Sequence, residues 1–269
     1  MTAPAFPAAS GGSRHLPVAA GFDALDDPVR ASLLGAHAHL AEQRGRVLRY
    51  PRDVSPFLSM PPDPGPADWQ DAAALAGAGG EVPLTGPVAV PPGGWEESRN
   101  VPGVQLTGER VAGAHDTGAV RLGPADVPEM LDLVERTRPG PFLTRTLELG
   151  HYVGIRLGGA LVAMAGERLH PPGWTEISAV CTDPGHRGRG LATRLVLAVA
   201  AGVRDRGETP FLHASAANTH AIRLYERLGF RLRRTTEFRT VRVPARGRAE
   251  GAHTRGPGGL GQPRRGDAP

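Results

Sequence analysis

The sequence predicts an α/β fold with a central sheet flanked by helices, and three observations support this. Short runs rich in β-branched residues alternate with segments in which apolar residues recur at helical spacing. Glycine and proline separate these runs at regular intervals from about residue 118 onward. The composition, 40% hydrophobic and 22% charged over 269 residues, is typical of a globular chain with one large or two small domains.

The first half of the chain has a less regular pattern. Residues 1–20 are rich in Ala, Pro, Gly and Ser, so we expect a disordered tail. Asp27 before Pro28 indicates a helix start, and the apolar stripe that follows predicts a helix to about Gln43. Gly77 is expected to stop a second helix. The remaining elements predicted here are a strand over 46–50, that second helix over 67–76, and short strands over 82–84 and 104–106.

The second half has a regular order of elements. Gly158-Gly159 predicts a two-residue hairpin turn between two of its strands. The predicted elements are a strand over 120–122, a helix over 124–136, a short helix over 144–149, strands over 152–156, 160–168 and 175–182, a helix over 191–206, a strand over 211–214, a helix over 219–228 and a strand over 230–241.

A glycine-rich turn joins the strand over 175–182 to the helix that follows it. Its sequence is Arg187-Gly188-Arg189-Gly190-Leu191-Ala192. Free amides at the helix start, the helix dipole and the small glycines together favour binding of a phosphate. The turn lacks the Gly-Lys-Ser/Thr of a P-loop, the chain contains no lysine, and Thr193 stands where a dinucleotide fingerprint has a third Gly or Ala.

A second motif lies downstream, after one helix and one strand. It comprises Asn218, Ala221, Tyr225 and the pair Gly229-Phe230, at the spacing Asn-x-x-Ala-x-x-x-Tyr-x-x-x-Gly-Phe. The two motifs, in this order along the chain, resemble the cofactor site of the GCN5-related N-acetyltransferase (GNAT) superfamily. The resemblance implies a mixed, mostly antiparallel central sheet flanked by helices.

The resemblance covers residues 117–243 and sets the expected domain organisation. Residues 21–116 match no motif and are expected to form an α/β accessory region, with a degenerate half-copy of the same fold as one interpretation. Residues 244–269 carry three of the four net positive charges and are expected to form a disordered basic tail. The absence of lysine among 31 basic residues indicates a high-GC bacterial genome.

The resemblance also implies a reaction. It implies transfer of an acetyl group from acetyl-CoA, as co-substrate and without a metal, to a primary amine on a small molecule or peptide in a ternary complex. The amides of residues 187–192 would bind the pyrophosphate. The strand residues Val180, Cys181 and Thr182 would pair with the pantetheine arm, and their backbone could polarise the thioester carbonyl.

Two side chains are the predicted catalytic residues. The resemblance implies that Glu176 is the base, because it lies 11 residues before Arg187, the offset of the glutamate base in the histone-type members of the superfamily. An extended strand would place Glu176, Ser178 and Val180 on one face looking into the cleft, and an outward-facing carboxylate is the alternative. Tyr225 matches the superfamily position at which a phenol protonates the thiolate, although a core tyrosine is the competing interpretation. Asn218 is predicted to contact the cofactor or, alternatively, to cap the helix.

Other polar residues are weaker candidates. Cys181, the single cysteine, excludes an intrachain disulfide and favours a buried small hydrophobe over a nucleophile. Three carboxylates could bind a cationic acceptor, namely Glu167, Glu148 and Asp116. The histidines that flank the motifs are expected to be solvent-exposed or structural, and they are His186, His213 and His220. His37 and His39 do not share a helix face, which argues against a metal pair.

Several function classes are disfavoured by the sequence. No apolar run approaches the roughly 20 residues of a membrane span, and the N-terminus has no charged start followed by an apolar core, so we expect a cytoplasmic protein. No basic face in the folded region predicts nucleic-acid binding. A homodimer is left open. The alternative to an N-acetyltransferase is a catalytically silent acyl-CoA-binding sensor or interaction protein. Glu176 and Tyr225 together favour catalysis, since a sensor needs neither.

Overall fold

The computed structural model describes residues 23–85 and 91–245. Its helices are α1 (Pro28–Leu34), α2 (Pro66–Ala76), α3 (Val127–Thr137), α4 (Leu191–Asp205) and α5 (Thr219–Arg227). Its strands are β1 (Glu42–Arg44), β2 (Val47–Arg49), β3 (Leu58–Ser59), β4 (Glu81–Thr85), β5 (Glu96–Thr107), β6 (Val120–Leu122), β7 (Tyr152–Leu157), β8 (Ala160–Glu167), β9 (Trp174–Thr182), β10 (Thr209–Ser215) and β11 (Arg231–Arg242). The predicted tails, 1–20 and almost all of 244–269, lie outside the described residues.

The strands form one sheet in the order β1-β2-β3-β4-β11-β5-β10-β9-β8-β7-β6. Most neighbours are antiparallel, and the two parallel pairs are β3–β4 and β9–β10. This confirms the mixed, mostly antiparallel sheet that the sequence predicts. Helices cover both faces, which gives the layered arrangement of an α/β domain.

Strand β5 occupies an unexpected place in this sheet. It pairs with β10 on one side and with β11 on the other, although the sequence predicted only a short strand over 104–106. The pattern was misleading because the first part of β5 is exposed and carries polar side chains, whereas its end is buried. The predicted division into 21–116 and 117–243 stays a prediction, and β5 joins the two parts within one sheet.

Separate apolar clusters fill the two faces. On one face, α4 and α5 pack on the sheet through the cluster that contains Leu106, Leu195, Val199 and Tyr225. On the other face, α3 covers β6–β9. The segment around α1 continues that layer over β10, where Leu25, Val29, Leu33 and Tyr50 pack with Phe211. The N-terminal region therefore forms part of the protein core.

The structure corrects two predicted helices and confirms two predicted turns. Helix α1 ends at Leu34 rather than near Gln43, because Gly35 follows it and the chain then forms a single 3-10 turn and strand β1. The second short helix is a 3-10 turn over Thr146–Leu149. Gly77 ends α2 with a φ of 79°, and Gly158-Gly159 form the β7–β8 hairpin with φ values of 58° and 87°. Within the described ranges, no helix is both long and apolar enough to span a bilayer.

If β5 is an integral strand, truncating its buried side chains should destabilise the whole fold. Leu106 has no exposed surface, so Leu106→Ala should lower the free energy of unfolding by about 2–5 kcal/mol. Leu34→Ala is the matched control, because Leu34 is 54% exposed at the end of α1 and its removal should cost under about 0.5 kcal/mol. Urea denaturation measures both, and equal small losses would show that β5 is peripheral.

Candidate active site

The site begins where two parallel strands part. β9 and β10 pair only from Trp174–Thr209 to Glu176–Phe211, although β9 continues to Thr182 and β10 to Ser215. Beyond Glu176, β9 keeps β8 as its ladder partner. We call the region beyond the Glu176–Phe211 pair the strand fork. It leaves one edge of β9 free to pair with an extended ligand.

A β-bulge shapes the free part of β9. Ala179 has a φ of 52°, which is unusual for a residue with a side chain, and the β8–β9 register shifts beside it. As a result, Ile177 and Val180 both pack toward α4, three positions apart. The prediction that Glu176, Ser178 and Val180 share one face is therefore wrong, because it assumed uninterrupted alternation. The bulge turns Val180 away from the face on which Glu176 lies.

The glycine turn connects β9 to α4. Asp183 accepts a hydrogen bond from the Gly185 N–H at 3.0 Å and opens a 3-10 turn over Pro184–His186. Gly188 and Gly190 then adopt φ values of 77° and 74°, and Gly190 is the N-cap of α4. A side chain at such φ values is strained, which explains both glycines.

The start of α4 has the features of an anion site. The N-cap residue offers no side-chain hydrogen bond to the first turn. A Cβ placed on Gly188 or Gly190 would meet nothing within 4 Å, so the approach to the backbone amides is open. Arg187 and Arg189 are exposed beside it. The dipole of a 15-residue helix adds partial positive charge at this position, and the turn can therefore hold a phosphate group.

The predicted cofactor-contact residues of β9 have different environments. Cys181 is buried among the side chains packed on α3, and burial raises the pKa of its thiol. These observations favour the small-hydrophobe interpretation of Cys181. The Thr182 Oγ1 is buried and has no hydrogen-bond partner among the described groups. The Thr182 carbonyl accepts a long hydrogen bond from Arg187 Nε at 3.4 Å, which connects the end of β9 to the glycine turn.

Tyr225 lies on α5 and belongs to the core cluster under α4. Its ring packs edge-on against Phe230 at a centroid distance of 5.9 Å, and the side chain is 8% exposed. Burial raises the pKa of the phenol to about 12, so it is protonated at neutral pH. The group carries the proton that the sequence-based assignment requires, and that assignment stays a prediction.

Asn218 caps helix α5. Its Oδ1 accepts a hydrogen bond from the Ala221 N–H at 3.2 Å, which is the capping interaction that the sequence offers as the alternative. A cofactor contact by Asn218 stays a prediction, and it would use the amide nitrogen.

Glu176 lies in a setting that the sequence did not indicate. It has no exposed surface, and its two oxygens accept hydrogen bonds from Arg168 at 2.7 and 2.8 Å. The Glu176 Oε1 is also 2.7 Å from His213 Nδ1. Burial alone would raise the pKa of this carboxyl, but Arg168 and His213 outweigh burial and lower it to about 2. A carboxylate so fully paired is a poor proton acceptor.

The other carboxylates proposed for acceptor binding are also ion-paired. Asp116 forms two hydrogen bonds with Arg194 of α4, which lower the pKa of its carboxyl to about 2. Glu167 pairs with Arg206 at 2.8 Å, and Glu148 pairs with the neighbouring Arg145. The Asp116 and Glu167 pairs link separate parts of the fold, whereas the Glu148 pair is local to one turn.

Sequence reasoning missed the partners of Glu176. Arg168 stands at the end of a predicted strand, and His213 was assigned to the exposed or structural histidines. Only the apolar neighbours of His213 in the strand, Phe211 and Leu212, signalled a buried setting, and nothing in the linear pattern joins His213 to Glu176.

Comparisons with known proteins agree with this architecture. A family model described as FR47-like protein matches residues 152–239. The chain is similar to a solved structure from the GNAT family of Novosphingobium aromaticivorans, with 40% identity and a TM-score of 0.76. That match covers 83% of this chain and 100% of the other, so it includes N-terminal strands as well as the motifs.

Two curated proteins are similar over shorter stretches. The N-alpha-acetyltransferase RimI of Mycobacterium tuberculosis is 39% identical over 83 residues, which are 30% of this chain and 51% of that protein. The mycothiol acetyltransferase of Thermobispora bispora is 48% identical over 56 residues, which are 20% of this chain and 19% of that protein. The chain thus spans about half the length of the first curated relative and a fifth of the second.

The buried Glu176 carboxylate should make stability depend on acid pH. Its pKa in the folded protein, about 2, lies below its ordinary value of 4.5, so its contribution is complete above pH 4.5 and is lost as the pH falls toward 2. Glu176→Gln should lower the free energy of unfolding by about 3–5 kcal/mol at neutral pH, because Arg168 keeps a buried charge without its counter-ion. The difference should shrink between pH 4.5 and pH 2.

Denaturant titrations of both proteins at several pH values measure this difference. Glu148→Gln is the matched control, because Glu148 forms an exposed pair and its replacement should leave the free energy of unfolding nearly unchanged. A constant difference between wild type and Glu176→Gln across the acid range would contradict the assignment.

Proposed function

Because the chain belongs to the GNAT family, we propose that it transfers an acetyl group from acetyl-CoA to a primary amine in a ternary complex. The observation that supports this best is the combination of the strand fork with the open glycine turn at the start of α4. The strand fork binds an extended arm and the glycine turn binds phosphate. Acetyl-CoA contains both an extended pantetheine arm and a pyrophosphate. The acceptor class includes small molecules and peptides, in keeping with the names of the two curated relatives.

The parts of the molecule have distinct tasks in this proposal. The amides of residues 187–192 hold the pyrophosphate, and the Arg187 and Arg189 side chains lie beside them. The free edge of β9 pairs with the pantetheine arm, and an N–H of Val180, Cys181 or Thr182 polarises the thioester carbonyl. Amine attack forms the new C–N bond and breaks the C–S bond, and the Tyr225 phenol protonates the departing thiolate.

The proposal gives Glu176 a different task from the predicted one. The amine must lose a proton, and we assign its uptake to solvent water, which also returns a proton to Tyr225, because both Glu176 oxygens are occupied by Arg168 and one also by His213. Taking up that proton on Glu176 would break a buried ion pair, which is costly. We therefore assign Glu176 to holding the strands at the strand fork, and the acid-pH measurement above tests the pairing on which this depends.

Replacing Gly190 should abolish cofactor binding. Gly190→Val places a β-branched residue at a φ of 74° and fills the open approach to the amides, so it should block the pyrophosphate. Acetyl-CoA at about 100 times its dissociation constant should stabilise the wild type by roughly 2.7 kcal/mol, and Gly190→Val by almost nothing. Thermal unfolding with and without acetyl-CoA measures this.

A second glycine of α4 provides the control. Gly202 lies later in the same helix without a positive φ, and a Cβ added there would meet nothing within 4 Å, so Gly202→Val should keep the stabilisation by acetyl-CoA. Equal stabilisation of wild type and Gly190→Val would show that the phosphate binds elsewhere.

Removing the Tyr225 hydroxyl should slow the transfer step without weakening cofactor binding. Tyr225→Phe should lower turnover by about 10²–10⁴-fold and change the affinity for acetyl-CoA only a few-fold. The assay is release of free thiol from acetyl-CoA with panels of amines, amino acids and peptides. Tyr152→Phe is the matched control, because Tyr152 is a buried tyrosine of the cluster under α3.

Two results would contradict the proposal. Full activity of Tyr225→Phe would remove the acid role. Tight binding of acetyl-CoA without acetylation of any amine would instead favour the catalytically silent sensor.

A further inference from the structure

The two strands of the fork are connected by one more contact just beyond their last backbone pair. Glu176 and Phe211 are the last paired residues. His213 lies two positions further along β10, and its Nδ1 is 2.7 Å from the Glu176 Oε1. Since the strands part here, this side-chain contact spans the apex of the strand fork. It can limit how far β10 moves away from β9.

The neighbouring strand holds His213 in this orientation. Gln105 of β5 lies directly opposite His213 in the β5–β10 register, and its Nε2 is 3.1 Å from His213 Nε2. An amide nitrogen only donates hydrogen bonds, so His213 Nε2 accepts and the ring proton resides on Nδ1. That proton is donated to Glu176. The Gln105 contact thus selects the tautomer that closes the apex.

The N-terminal region in turn holds Gln105. The Gln105 Nε2 also donates to the Leu25 carbonyl at 2.8 Å, and its Oε1 accepts from Arg233 at 2.9 Å. Arg233 donates as well to Asp23 and Asp26, both at 2.8 Å. Gln105 is 1% exposed, so water competes little for these bonds.

At the end of this series of contacts that is opposite to Arg233, Arg168 fixes Glu176. The guanidinium forms two parallel hydrogen bonds with the carboxylate and lies 5.1 Å from the Phe57 ring, which belongs to the N-terminal region. The relay, defined as Arg168, Glu176, His213, Gln105 and Arg233, therefore runs across the sheet from the residue that follows β8 to β11. Segments of the N-terminal region contact both of its ends.

We propose that this relay sets the width of the strand fork, so that Gln105 and His213 are positioning residues for acetyl-CoA and the N-terminal region controls the cofactor site through them. The proposal rests on the proposed function in one respect, namely that acetyl-CoA is the ligand of the strand fork. In this proposal, residues that precede the glycine turn in the chain, such as Gln105, affect the binding of acetyl-CoA without contacting it.

The test removes Gln105, the member of the relay that holds His213. Gln105→Leu keeps the size of the side chain but releases His213, and it should weaken acetyl-CoA binding by about three- to ten-fold, the effect of losing one hydrogen bond. His213→Phe should have an effect of similar size. The double variant should be no weaker than the worse single variant, since both changes open the same contact. Calorimetry at a temperature where all variants are folded measures these affinities.

A matched variant separates positioning from loss of stability. Val82 is buried in β4, in a cluster apart from the relay, so Val82→Ala should lower the melting temperature and leave the affinity for acetyl-CoA unchanged. An unchanged affinity in Gln105→Leu, or equal weakening in Val82→Ala, would overturn the proposal.

Amide hydrogen exchange tests the relay independently of any ligand. In Gln105→Leu, amides of residues 177–182 and 211–215 should exchange faster than in the wild type, and in Val82→Ala they should not. If the wild type fails to bind acetyl-CoA, the proposed function is wrong and exchange alone decides whether the relay holds the strand fork. Unchanged exchange at these residues in Gln105→Leu would show that it does not.

Discussion

A parallel strand pair usually continues for as long as both strands do, because each further residue adds backbone hydrogen bonds. Here β9 leaves β10 after Glu176 while both strands run on, and Ala179 departs from extended geometry three residues later. The unused backbone groups of β9 remain available to a ligand. The position of the glycine turn and the start of α4 follow from where β9 goes after this point.

The buried charges near the strand fork explain how the sheet tolerates such a gap. Desolvating a carboxylate is expensive unless its partners are well placed, and Glu176 has three close donor contacts from Arg168 and His213. The His213 contact joins β9 to β10 just beyond their last backbone pair, and the Arg168 contacts hold the carboxylate in place for it. A polar network of this kind is sensitive to the loss of any member, because the remaining groups stay buried without partners.

The motifs could be predicted from the sequence because their chemistry is local. Gly188 and Gly190 form a turn whose geometry depends on neighbouring residues, and Asn218 caps the helix that directly follows it. Glu176 could be placed on its strand, but its role depends on Arg168, His213 and, through them, on Gln105.

Those partners come from separate parts of the sheet, and no periodicity encodes them. The bulge at Ala179 was likewise invisible, because alanine has no preference for a positive φ. The true length of β5 was hidden by the polar, exposed residues at its beginning.

The place of β5 in the sheet also sets the order in which the protein can assemble. Its contacts reach across 108 positions to His213 and 142 positions to β11, so a ribosome must release most of the chain before this strand has either neighbour. Until then its apolar end, Val104 and Leu106, has no strand to cover its edges. Such distant pairing slows folding, because a long loop must close, at a cost in entropy, before any hydrogen bond between the strands can offset that cost. The nascent protein is therefore expected to need protection from self-association until β11 emerges.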